Sequence, residues 1–314
     1  MKNLIYLLLL SMTIPSCKKE EARQVNQYTI EQFYTNTRFE GGTFSADETR
    51  LLVGSDETGI FNLYEITLAD GAKKQLTTST VESYYPVDYV PGMSALIYSA
   101  DKGGNEIDHL YLLEDNGKTT DLTPGENNKV SFFKWSEDKK SMFYISNIRD
   151  PKYFDVYKMN IGEWIPTLFY ENKSGLDVNE ISDDEKTLVV SKTVTTSENE
   201  LYLVNRETDT QTELSLPDQK GRYGVSGFSK DNKYVFYLTD GGKEFTYLVQ
   251  YDMNSGERKV LYETNWDVMY TFLSEKETYR VIAINEDGKN TIIMQDAASG
   301  KTIDFPAIPD GDII

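Results

Sequence analysis

FSADETRLLVGS, residues Phe44 to Ser55, returns in altered form as WSEDKKSMFYIS from Trp135, ISDDEKTLVVSK from Ile181 and FSKDNKYVFYLT from Phe228. Each copy places an apolar residue before a serine, then a polar turn, then a short run rich in β-branched and aromatic residues, which is the pattern of two strands joined by a tight turn. With the serine as a ruler, Ser45, Ser136, Ser182, Ser229 and Ser274 stand 91, 46, 47 and 45 residues apart. The first interval is two periods long. Near its middle, VDYVPGMSALIYSA aligns Val90-Pro91-Gly92 with the turn, so the repeat has six copies.

A second marker keeps the same period later in each copy: Tyr64, Tyr111, Tyr157, Tyr202, Leu248 and Ile293. Within the third copy the pattern predicts strands at 130–135, 141–146, 155–160 and 167–170. Four short strands per repeat of about 46 residues is the signature of a propeller blade. The fold class is therefore all-β: a β-propeller of six recognisable four-stranded blades, approximately 41–80, 85–129, 130–175, 176–221, 223–266 and 267–314. The final IPDGDII resembles the start of another blade's first strand, and this predicts an incomplete seven-bladed ring.

The repeated polar residues belong to the turns. Asp47, Asp138, Asp184 and Asp231 each follow the serine by two residues. A short carboxylate there can accept hydrogen bonds from nearby backbone, and Ser45, Ser136, Ser182 and Ser229 can bond locally in the same way. These eight are structural residues of the blade turns. In the sixth copy Lys276 replaces the aspartate, which predicts a weaker turn. The apolar residues before the serines, Phe44, Trp135, Ile181 and Phe228, with Phe272 nearby, are expected to pack between neighbouring sheets, each burial contributing roughly 1.5–3 kcal/mol.

The chain of 314 residues is 39% hydrophobic and 12% aromatic, enough for a sizeable core. Its formal net charge of −19 excludes nucleic acid as a partner, since phosphate binding requires clustered Lys and Arg. The acidity reads as a solvated surface.

The N-terminus, MKNLIYLLLLSMTIPSC, has a lysine followed by an apolar run too short to cross a bilayer of about 30 Å. It reads as an export signal over residues 1–16. Cys17, the only cysteine, closes it in a way that resembles the lipobox of bacterial lipoproteins, where that cysteine carries lipid; the alternative is a free thiol. Residues 17–27, KKEEARQVNQ after the cysteine, read as a flexible tether. Their Lys-Lys-Glu-Glu start resembles tags that send lipoproteins to the outer surface. The expected location is the bacterial cell envelope, with the membrane engaged through the lipid only. A single cysteine leaves no intramolecular disulfide.

From about Tyr28 onward, YTIEQFYTNTRFEGGTFSADETRLLVGSDETGIFNLYEI, DKGGNEIDHLYLL, DLTPGE, NIRDPKYFDVYKM and TNWDV together resemble the N-terminal propeller of exported serine peptidases of the prolyl oligopeptidase family. The individual blade motifs are also similar to TolB-like propellers. The resemblance implies that the propeller covers the active site of a following hydrolase domain and helps to bind peptide there. It further implies a nucleophile in a Gly-x-Ser-x-Gly elbow. No such elbow occurs in this chain, and GVSG at Gly224–Gly227 lacks its spacing.

No catalytic residue is therefore assigned. The single histidine, His109, has no nucleophile motif to serve and reads as a structural residue. One His and one Cys give no metal-ligand cluster, and neither a metal nor another cofactor is expected. Relatives that cleave dipeptides grip the substrate amine with propeller glutamates, but no matching acidic motif is present. Asn105, Glu106, Arg149 and Asp150 fall in family-like loops and are expected to stabilise those loops. No ligand-binding residue is assigned.

Three readings follow from the residues. The first is the non-catalytic propeller portion of a lipid-anchored peptidase, with peptide as ligand and the hydrolase domain in a longer product. The second is a stand-alone envelope scaffold that binds a protein partner. The third, an enzyme with its site in the channel, lacks a converging set of catalytic residue types.

Overall fold

The computed structural model of the protein describes residues 25–216 and 218–304. The leader 1–16, Cys17, the first part of the tether and the segment 305–314 lie outside the described residues. Residues 25–38 form a unit of their own, and the propeller begins at Phe39.

Six four-stranded antiparallel sheets, each with its strands side by side in sequence order, form six blades in a ring. Blade 1 runs from Phe39–Phe44 to Lys73–Gln75, blade 2 from Tyr85–Tyr89 to Thr119–Asp121, and blade 3 from Val130–Trp135 to Pro166–Tyr170. Blade 4 runs from Asp177–Ile181 to Thr210–Glu213, blade 5 from Tyr223–Phe228 to Arg258–Tyr262, and blade 6 from Asp267–Leu273 to Thr302–Ile303. The third blade follows the predicted strand pattern, except that its second strand continues to Asp150, its third begins at Tyr153 and its fourth at Pro166.

The turn between the first two strands of a blade repeats the same bonds. Ser136 N donates to Ser141 O at 2.8 Å, and Lys139 N donates to Ser136 O at 2.9 Å. The residue three after each serine has positive φ: Glu48 (54°), Lys139 (56°), Glu185 (61°), Asn232 (54°) and Glu277 (52°). This is a tight turn over Ser136–Lys139 ending in a left-handed residue, within a connection of four residues between Ser136 and Ser141. Blade 2 keeps the closing bond, Val90 N donating to Ala95 O at 2.9 Å, but its left-handed residue is Gly92 at φ 71°, one position earlier, so Pro91-Gly92 spans the same gap with a type II turn.

No blade can bury both faces alone, and the core lies at the junctions. Five buried apolar clusters occupy the five junctions between consecutive blades. Leu52 and Leu63 of blade 1 meet Leu96 and Tyr98 of blade 2. Phe143 and Val156 of blade 3 meet Ile181 and Leu188 of blade 4. Val268 and Ile282 of blade 6 pack with Leu238 and Tyr262 of blade 5. At the first junction a Cβ added to Gly41 would lie 2.8 Å from Pro86 Cγ, and one added to Gly54 would lie 2.9 Å from Pro86 Cδ. Glycines there let the two sheets approach.

Trp135, at 8% exposure, and Ile181, at 1%, pack between sheets as expected. Phe44 and Phe272 do not, being 57% and 51% exposed. The reason is their place in the ring. The pre-serine residue packs back into the cluster shared with the preceding blade, and among the described residues no buried cluster joins blade 6 to blade 1 for Phe44 to enter. Phe272 pairs with Val281 in the register in which Lys134 pairs with Phe143, and Lys134 reaches forward to blade 4; Phe272 points forward from the last described blade.

Candidate functional site

The first strand of every blade carries a break in register, between Glu40 and Thr43, Pro86 and Asp88, Phe132 and Lys134, Val178 and Glu180, Val225 and Gly227, and Val268 and Tyr270. A bulge sharpens the local twist and re-aims the side chain after it. In blades 1 to 4 that side chain is polar, and it links neighbouring blades. Thr43 Oγ1 donates to Asp88 Oδ1 at 2.6 Å, and Trp135 Nε1 donates to Asp88 Oδ2 at 2.8 Å. Asp88 thereby joins three blades. Lys134 Nζ donates to Glu180 Oε1 and to the Ile181 carbonyl, both at 2.9 Å. These groups are mutually satisfied, so the belt serves as a frame.

Because the strands alternate in direction, the serine turns lie at one rim, and the loops leading to the third strand and to the next blade lie at the other. At this loop rim, a polar residue opening the third strand holds the chain that leads to the next blade. Asn62, fully buried, accepts from Ser79 N at 2.7 Å and donates to Ser79 O at 3.0 Å. Asn199 accepts from Tyr223 N at 2.7 Å and donates to Tyr223 O at 2.8 Å. Asp155, also fully buried, accepts from Arg149 Nε at 2.6 Å, Arg149 Nη2 at 2.9 Å and Asn172 N at 2.7 Å. The Asp155 hydrogen bonds raise the pKa of the Arg149 guanidinium further above its already high value.

His109 holds the corresponding place in blade 2. Its Nδ1 lies 2.8 Å from Asp121 Oδ2, and its Nε2 lies 2.9 Å from the Gly125 carbonyl, to which it must donate. Both ring nitrogens are engaged, so neither is free to take a proton from a nucleophile. Nearby, burial pushes the phenols of Tyr98 and Tyr111 up to about 12. A cleft of about 340 Å³ opens here, lined by Lys102, Asn105, Ile107, His109, Asp121 and Glu126.

The other loop residues named from the sequence bond to their own loops. Asn105 Oδ1 accepts from Ile107 N at 3.0 Å, Glu106 N donates to Asp101 Oδ2 at 2.8 Å, and Asp150 Oδ1 accepts from Lys152 N at 2.9 Å. GVSG lies in the first strand of blade 5. Among the described residues no group of three or more His, Cys, Asp or Glu side chains is placed to hold a metal ion.

At the turn rim each named serine donates to its aspartate: Ser45 to Asp47 at 2.6 Å, and Ser136 to Asp138, Ser182 to Asp184 and Ser229 to Asp231 at 2.7 Å. The Ser45 hydroxyl, with help from Thr49, holds the Asp47 carboxyl down at about 2. Sequence reasoning missed the belt and, apart from His109, the loop-rim residues. A signal existed, since Asn62, His109 and Asp155 each stand two residues before a marker tyrosine, but they share no residue type.

A search of the curated proteins found no match. The family described as prolyl oligopeptidase, N-terminal beta-propeller domain, matches residues 35–311. This chain belongs to that family. Among solved structures it is similar to a prolyl endopeptidase studied for the role of inter-domain dynamics in catalysis and specificity, with TM-score 0.66 and 16% identity. That match covers 88% of this chain and 43% of the enzyme, so this propeller chain spans less than half of the enzyme's length. An oligogalacturonate lyase solved with manganese gives TM-score 0.61 at 13% identity, covering 83% of this chain and 74% of the lyase. TolB from Acinetobacter baumannii gives TM-score 0.49 at 14% identity, covering 91% of this chain and 74% of TolB. The first two likenesses show a shared fold.

Proposed function

We propose that this chain is the non-catalytic propeller portion of a lipid-anchored serine peptidase of the prolyl oligopeptidase family, admitting and holding peptide for a hydrolase domain carried by a longer product. The family match over residues 35–311 carries this reading. Three features support it. His109 is engaged at both ring nitrogens, and the sequence has no Gly-x-Ser-x-Gly elbow. The apolar side chains Phe44 and Phe272, in the first strands of blades 1 and 6, stand exposed, as surfaces intended for covering would. The leader ending in Cys17 supports export and anchoring through lipid.

The test is the size of the native product in its own cells, detected with an antibody raised against the propeller. A band at roughly twice the 35.9 kDa of this chain is expected, as for an added domain of ordinary or larger size. A band near the chain's own mass would overturn the reading and favour a stand-alone envelope scaffold. Purified chain that hydrolyses chromogenic peptides at a rate abolished by replacing one serine would overturn the non-catalytic assignment.

A further inference from the structure

The sequence TIEQFY, Thr29–Tyr34, builds a one-turn helix, Ile30–Tyr34, with care and then buries none of it. Thr29 and Gln32 form a capping box: the Thr29 side chain accepts from Gln32 N, and Gln32 Oε1 accepts from Thr29 N at 2.8 Å. The helix places Ile30, Phe33 and Tyr34 on one face, at the i, i+3, i+4 spacing. Those residues are 73%, 66% and 83% exposed, and Tyr28, whose ring meets Phe33 edge-on at 5.8 Å, is 61% exposed. A helix this short is unstable in water without a packing surface. A capped, wholly exposed aromatic turn calls for an occupant.

Charge and chain length identify the kind of occupant. Residues 18–38 contain Lys18, Lys19, Arg23 and Arg38 against Glu20, Glu21 and Glu31, a net charge of +1 in a chain of net charge −19. This stretch is thus the part of an acidic protein that an anionic surface would not repel. Only the ten residues 18–27 separate Cys17 from Tyr28. At about 3.3–3.6 Å per residue, they keep the helix within roughly 40 Å of anything that holds Cys17. Tyrosine and phenylalanine beside aliphatic residues suit the headgroup region of a bilayer.

We infer that the face formed by Tyr28, Ile30, Phe33 and Tyr34 docks on the surface of an anionic lipid bilayer, as a second contact beside the lipid on Cys17. The inference rests on the anchored reading of the chain. A short tether gives the helix a high effective concentration at the membrane, so a contact too weak to recruit the protein by itself suffices to hold the segment down.

The test supplies the anchor artificially. Cys17 is the only cysteine, so the chain from Cys17 to Ile314 can be coupled through its thiol to a maleimide lipid in phosphatidylethanolamine–phosphatidylglycerol vesicles, or to a soluble maleimide polymer. Hydrogen exchange of the amides of residues 30–36 is then compared. Expected is a slowing of at least tenfold on vesicles alone, abolished by Phe33→Ser with Tyr34→Ser, while exchange in the blades is unchanged. Fast exchange on both carriers overturns the inference. Equal slowing on both overturns it too, in favour of a protein surface as the occupant. The coupling makes the outcome independent of natural lipidation, which the mass of the native N-terminal peptide tests separately.

Discussion

At the turn rim, Ser45, Ser136, Ser182 and Ser229 each donate to an aspartate two residues on. At the loop rim, the equivalent task of fixing the chain falls to Asn62 and Asn199, which each clasp the N–H and C=O of one later residue, and to His109 and Asp155, which use other partners. The turn closes within five residues, from Ser136 N to Ser141 O, so its requirements are local and one solution can be copied from blade to blade. The loop-rim bonds reach 6 to 24 residues along the chain, to segments of unequal length and course. Each had to be solved separately. The turn residues are therefore interchangeable between blades, and the loop-rim residues are not.

The largest expected effect breaks the second half of that contrast. Asn serves well in blade 1, yet Asp155→Asn in blade 3 should destabilise the propeller by about 2–3 kcal/mol, because the amide nitrogen would face the donors of Arg149 in a buried place. Urea unfolding measures it. A loss below about 0.5 kcal/mol, within the scatter of surface substitutions, would show that the loop rim tolerates exchange after all.

A smaller effect of opposite sign sharpens the first half. In blade 6, Ser274 Oγ accepts from Tyr279 N at 3.0 Å, as in the other turns, but Lys276 offers no carboxylate. Lys276→Asp should install the missing acceptor for the Ser274 hydroxyl and Thr278 N, stabilising by about 0.5–1 kcal/mol. A thermal melt that shifts downward would mean the turn chemistry does not transfer.

The smallest effect is one of pH. Asp47 is held at about 2, below its ordinary value near 3.9, chiefly by Ser45. A depressed carboxyl contributes stability that is present above the unfolded pKa and is lost as pH falls through the folded one. The stability gap between the wild type and Asp47→Asn should therefore stay constant at and above pH 5. It should shrink between about pH 4 and pH 2. Denaturation midpoints at pH 7, 4 and 2.5 check this, and a gap independent of pH would remove the carboxylate from the turn's energetics.

The same division governs what could be read from the residues. The turn copies exposed the period, and the copy at Val90, with no serine or aspartate, closes the same span by a different turn whose left-handed residue, Gly92, comes one position earlier. His109 stood out only by being the sole histidine; its two partners lie 12 and 16 residues away, at the end of the blade's fourth strand and in the loop after it. Asp88 carried no mark, although it joins three blades. Trp135 was legible as a packing residue, but the hydrogen bond made by its Nε1 was not.

By itself the sequence determined the strand alternation, the turns and their sixfold recurrence, because those depend on backbone conformation and on bonds within a few residues. Only the tertiary structure decided which side chains meet across a junction. Thr43 and Asp88, Asp88 and Trp135, and Lys134 and Glu180 are 45, 47 and 46 residues apart, one whole repeat, and they meet because a bulge in each inner strand turns one side chain toward the next blade. The same residue class is buried as Trp135 and exposed as Phe44. What separates them is whether a buried cluster joins their blade to the one before it, and that is a property of the assembled ring.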